Sequence, residues 1–137
     1  MTDEQRSVSN IVPVLVAVLI CDVAALDPGT GKKNLIGIFD ILHTKSFPTQ
    51  RPMSIYVKLA DAQGKYGIEV RLVHRETNDV LAELEGEIEI TSRLSSVDFF
   101  FPTPPLAFPR EGRYEFQVWA NRVYLGAATM DARLGNP

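Results

Sequence analysis

The sequence is short of the residues on which many enzymes and secreted domains rely. Among 137 residues there is one cysteine, Cys21, two histidines, His43 and His74, and one tryptophan. A lone cysteine closes no internal disulfide, so the stapled scaffolds of small secreted proteins are excluded and a reducing compartment is indicated. A zinc-type site needs three or four ligands, and no second histidine lies near either one, so neither metal nor cofactor is expected. Positive charge is not in surplus either: 14 Lys plus Arg stand against 17 Asp plus Glu. Nothing in that balance points to nucleic acid or to an anionic membrane.

Long apolar runs are also missing. The oiliest stretch, Ile11 to Leu26, is sixteen residues interrupted by Pro13 and Asp22, where a spanning helix needs about 20. The leading MTDEQRSVSN carries Asp3 and Glu4 against Arg6, unlike the positive start of a secretory signal. Ile20 is too large for the position before a lipid-modified cysteine. A cytoplasmic chain without a membrane segment is therefore expected. Residues 1–10 are polar and unpatterned and read as a disordered tail, and 11–137 as one domain.

What is present is alternation. Val14, Val16, Val18 and Ile20 share one face of an extended chain, and Leu15, Ala17, Leu19 and Cys21 share the other. A strand apolar on both faces is covered on both sides or is half covered by a partner. Asp27 to Lys33 is rich in Pro and Gly and reads as a turn. It lacks the spacing of a phosphate loop, since Leu26 and Lys33 stand where Gly and Ser or Thr are needed. Asn34 to Leu42 returns as a second strand, with Gly37 marking a bulge or a close approach. Pro13 to Ile41 is thus expected to be a central hairpin.

Further along, Ile55, Val57 and Leu59 share parity with Ile68, Val70 and Leu72, and a Gln63-Gly64 turn would pair them as a second hairpin. A three-residue turn at Thr77-Asn78-Asp79 would set Ile68 opposite Ile88 and Arg71 opposite Glu85. The row Glu83, Glu85, Glu87 and Glu89 then forms a solvated face. Val97 to Phe101 is a strand ended by prolines. Asn121-Arg122 closes a last hairpin in which Trp119 meets Tyr124. Together these read as an all-β antiparallel β-sandwich of about eight strands.

Catalytic sets are not found. Asp40 and His43 are spaced so that a strand running into a loop separates their side chains, and the serines lack a nucleophile context. Asp22 is a carboxylate inside an apolar run, where burial would cost energy without a partner. The reading preferred is structural, with Asp22 accepting loop hydrogen bonds near Thr30 or Lys32, and a candidate binding site is the alternative. Trp119 and Tyr124 form a candidate contact patch, because aromatic side chains are enriched at interfaces. Phe108 is either part of a recognition loop or a plug at one end of the sandwich.

The phrase from Phe108 to Trp119, with the short turn and Leu125-Gly126 after it, resembles the closing strands of immunoglobulin-like modules. The Cys21-Asp22, Thr30 to Asp40 and Phe47-Pro48 elements resemble a family of short, uncharacterised bacterial proteins. That resemblance implies a bacterial cytosolic protein and transfers no functional residue. The expected function is a non-catalytic protein-interaction or scaffold module, self-associating as a homodimer through the N-terminal hairpin or binding another protein. The alternative is a small-molecule or carbohydrate-binding sandwich using Trp119 and Tyr124 as a stacking platform.

Overall fold

The computed structural model describes residues 11–136, so the tail expected over 1–10 lies outside the described residues. Eleven strands follow one another: β1 (Val14–Leu26), β2 (Lys33–Ile38), β3 (Ile41–Thr44), β4 (Thr49–Arg51), β5 (Ser54–Ala60), β6 (Gly64–His74), β7 (Asp79–Ile90), β8 (Val97–Pro102), β9 (Leu106–Phe108), β10 (Gly112–Ala120) and β11 (Val123–Leu134). The chain is all-β with several sheets, compatible with a β-sandwich. The count exceeds the expected eight because β3, β4 and β9 have only four, three and three residues. Strands so short show no readable period.

One sheet has the order β2-β1-β5-β8, a second β3-β11-β10-β6-β7, and β4 pairs β9 in a third. Ile55, Val57 and Leu59 of β5 and Ile68, Val70 and Leu72 of β6 all belong to the main buried cluster, with Phe116 and Val118 of β10. The expected β5–β6 hairpin is therefore corrected: β5 pairs with β1 and β8, and β6 with β7 and β10. Their shared parity is real, but it places two inner faces against one core instead of two strands side by side. The left-handed φ of Asp61 (53°) turns the chain between the sheets.

The β6–β7 register also differs from expectation. Ile68 pairs Gly86, Val70 pairs Leu84 and Arg71 pairs Glu83, with an irregularity between Leu72 and Val73. The shift is even, so the acidic row stays outward. The final turn forms as expected: Asn121 (φ 47°) and Arg122 (φ 67°) both lie in the left-handed region, as a two-residue type I′ turn requires. Trp119 pairs Tyr124, after which a bulge at Val118/Trp119 moves Val118 onto Gly126 and Phe116 onto Ala128.

Two features fix the far end of the second sheet. β3 runs parallel to β11, the two strands being joined through the long course of the chain. At the start of β10, the buried Tyr114 hydroxyl donates to the carbonyl of Arg110. Its ring packs edge-on against Phe108 at 5.1 Å and His74 at 4.7 Å.

Candidate interaction surface

The expected hairpin forms over β1 and β2, with Val23 opposite Ile36 and Cys21 opposite Ile38, but it is not central: β2 ends its sheet, and the strand expected from Asn34 to Leu42 is split, with Ile41 and Leu42 in β3 of the second sheet. Its loop is held by Asp27, whose carboxylate accepts from Gly29 N–H and Thr30 Oγ1 and is thereby held below the usual carboxylate range. Among the described residues β2 is an edge strand, hydrogen-bonded within its sheet to β1 alone.

Two polar contacts shape the hairpin. At its root, Gly37 adopts φ 70°, and a Cβ there would fall 2.3 Å from Asp22 Oδ2. Asp22 therefore crosses directly over the glycine, and its other oxygen accepts from Arg51 Nη2 at 2.7 Å. The Arg51 guanidinium also lies 5.1 Å from the Phe39 ring centre. Asp22 is thus exposed and paired. The strain expected of a buried, unpartnered carboxylate does not arise, and Thr30 and Lys32 are not its partners.

At the hairpin tip, Lys33 Nζ contacts Asp98 Oδ1 at 2.6 Å, and Tyr56 Oη donates to Asp98 Oδ2 at 2.8 Å. β2 and β8 stand at opposite ends of their sheet, so this contact requires the distal hairpin to curl back across the outer face. Burial alone would push the Asp98 carboxyl up, but the hydrogen bonds from Lys33 and Tyr56 outweigh it and hold the group low. Burial and the bond to Asp98 push the Tyr56 phenol up to about 12.

The curl divides the hairpin into two faces. Lys33 and Leu35 are half-buried, whereas Val23, Ile36 and Ile38 stay exposed at 51%, 60% and 57%. Cys21, at the bend, is fully buried, with its thiol near the carbonyls of Val23 and Ser54. Burial and the neighbouring Asp22 charge push that thiol up, away from the reactive thiolate. The notion of β1 as a strand covered on both sides is corrected among the described residues, since Val14, Val16 and Leu19 are also exposed.

An open depression of about 270 Å³ beside the hairpin root is lined by Asp22, Gly37, Ile38, Phe39, Ile41, His43 and Arg51. Asp40 lines a neighbouring depression with Val18 and Thr129. The Asp40/His43 pair is not brought to a common pocket.

The other sequence candidates fall elsewhere. Phe108 is fully buried and packed on Tyr114, so it offers no surface to a partner. Trp119 and Tyr124 meet at 5.4 Å, but the Arg71 guanidinium already lies 4.3 Å over the Trp119 ring, and Trp119 Nε1 donates to Gln117. Arg71 in turn contacts Glu69 at 2.9 Å and Glu83 at 3.9 Å. Glu69, Glu83 and Glu85 carry carboxylate oxygens within 4.8 Å of one another, and that guanidinium offsets their charge. Ile36 and Ile38 were not singled out from sequence. Their signal was the alternation of the second strand, which does not say which face stays open.

These features define an all-β chain with several sheets that carries an apolar hairpin on its outside. It belongs to the family of unknown function DUF6941, whose model matches residues 16–131. No curated protein matches the sequence. Among solved structures, it is similar to the Pseudomonas fluorescens alkylpurine DNA glycosylase AlkC bound to DNA containing an abasic site analogue, with a TM-score of 0.46 and 13% identity over 69% of this chain. The match spans 27% of the glycosylase chain. It is also similar to the CARDB domain of a Pyrococcus furiosus protein in complex with di-metal ions, with a TM-score of 0.40 and 13% identity, covering 93% of this chain and 95% of that one. No helix among the described residues is long and apolar enough to cross a membrane.

Proposed function

We propose that this protein is a non-catalytic interaction module of the immunoglobulin-like kind, working in a bacterial cytoplasm and engaging a protein partner through hairpin β1–β2. The observation that carries the reading is the exposed trio Val23, Ile36 and Ile38 on a hairpin whose outer strand is an open sheet edge. Exposed apolar side chains beside unpaired backbone groups are the elements of strand addition, in which main-chain bonds supply affinity and side chains supply selectivity. The immunoglobulin-like part is supported by β3 lying parallel to β11 and by the Tyr114 hydroxyl bonded back to Arg110 at the start of β10, the arrangement called a tyrosine corner.

The ligand-binding alternative has less to stand on, because Arg71 occupies the ring face that a sugar would use. Site-specific photocrosslinking in cells tests the reading. A crosslinker at position 36 is expected to capture protein, while one at Glu87 on the acidic face captures little. Equal yields from the two positions would remove the hairpin from the proposal.

A further inference from the structure

Resting on that reading, we infer that the partner of the hairpin is a second copy of this chain, joined by antiparallel pairing of β2 with β2 about a dyad at Ile36. Two identical strands that pair antiparallel must do so symmetrically, and only registers that keep directly opposed residues on the same face let apolar side chains meet. Dyads at Leu35 and Ile36 keep the most of the six residues of β2 paired; a dyad at Asn34, which sets Lys32 against the partner's Ile36, or at Gly37 keeps fewer.

Charge selects among them. Lys32 and Asp40, both exposed, bracket the strand. With the dyad at Ile36, Lys32 falls opposite the partner's Asp40, and the symmetry repeats the contact. The dyad at Leu35 sets Lys32 against the partner's Ile38, and the dyad at Gly37 sets Asn34 against the partner's Asp40. Neither of those pairs opposite charges. The Ile36 register also places Ile36 against the partner's Ile36 and Asn34 against the partner's Ile38, and Val23 extends the apolar patch on each side.

Exposed apolar surface is concentrated toward this end of the chain. Of the thirteen large apolar side chains left exposed among the described residues, eight lie between Val12 and Ile38. Four of the eight, Val23, Leu26, Ile36 and Ile38, lie where β1 pairs β2, and the β1 residues before Ile20 pair β5 instead; the four form the apolar centre to which strand pairing adds main-chain bonds. Lys33, which would otherwise set a charge on the edge, is drawn away to Asp98.

The test is sedimentation or light scattering of the full chain at tens of micromolar. The expected mass is twice the 15.2 kDa of one chain. Ile36→Lys, at an exposed position, is expected to keep the fold by circular dichroism and to weaken self-association about 100-fold, because two like charges meet on the dyad. Lys32→Glu is expected to weaken it about tenfold, and Lys32→Glu with Asp40→Lys to restore it to within about threefold.

As a check independent of affinity, Ile36→Cys in a Cys21→Ala background is expected to oxidise to a covalent dimer, since directly opposed residues lie within disulfide reach. A monomeric wild-type chain, or a charge reversal that fails to restore pairing, overturns the inference. If the chain is monomeric while the crosslinker at position 36 captures a different protein, the interaction reading survives and the second-copy inference does not.

Discussion

Two strands at the ends of their sheets, β2 and β7, solve the same problem in opposite ways. An edge strand presents unpaired N–H and C=O groups that template association with other chains. β7 alternates Glu83, Glu85, Glu87 and Glu89 along its outward face, all exposed, so that any approaching strand meets charge. β2 offers Ile36 and Ile38 instead, and Lys33 at its start is folded inward onto Asp98. The same fold therefore carries one edge protected by charge and one left apolar. The difference cannot be assigned to core formation, because the exposed residues of β2 face away from the core that β5, β6 and β10 build. It is the contrast on which the proposed interaction rests.

The comparison is broken most severely by changing the hairpin's root. Gly37→Val would place a β-branched side chain at φ 70° and drive its Cβ into the Asp22 carboxylate. The left-handed backbone and the clash together are expected to cost roughly 2–4 kcal/mol. Urea unfolding measures this. Asp22→Ala in the same chain should recover the part due to the clash and leave the part due to the backbone. A loss below about 0.5 kcal/mol would mean that the root yields and that Asp22 does not set the hairpin's position.

A smaller effect concerns the tip, where Lys33, Asp98 and Tyr56 hold the curl. The Tyr56 phenol is raised to about 12 in the fold, above its ordinary value of about 10. Its contribution is therefore complete below pH 10 and is lost as pH rises toward 12. Asp98 is lowered in the fold, so its contribution is present above the ordinary carboxylate pKa of about 3.9 and is lost as pH falls below that value. Stability measured against pH should decline at both ends. Tyr56→Phe should flatten the alkaline decline, although Tyr114, also raised by burial, keeps part of it. An alkaline limb unchanged in Tyr56→Phe would show that the tip contact does not stabilise the native state.

How much of this was legible in the sequence varies by region. The first hairpin could be read because alternation, the Asp27 to Lys33 turn and Gly37 agree, and the Asn121-Arg122 turn because its length fits the strands around it. The β5–β6 arrangement was misread because parity is equal for strands that pair and for strands that face each other across a core. Bulges at Leu15/Ala17, Leu72/Val73 and Val118/Trp119 slip the register by local backbone geometry that composition does not record. Asp22 looked like an isolated charge because its partner, Arg51, is 29 residues away, and the partner of Lys33, Asp98, is 65 away. Contacts of that range are made by the fold, and no spacing rule in the chain encodes them. The candidate surface was therefore visible as an excess of apolar residues, while the face left open was not.

The smallest expected effect sharpens the comparison furthest. If Val23 and Ile36 are apolar for a partner's sake and not for the fold, replacing both by threonine should barely change the stability of the isolated chain. Threonine keeps the β-branch and strand preference and removes apolar surface that already faces water at these positions. The expected change is within about 0.5 kcal/mol, as for most surface substitutions, measured at concentrations low enough to exclude self-association. The linkage of association to unfolding then makes the difference concentration-dependent: wild type should gain stability as it is concentrated, and the double variant should not. A loss above about 1.5 kcal/mol at low concentration would show that these side chains pack within the monomer. In that case the contrast with β7 would reflect folding and not recognition.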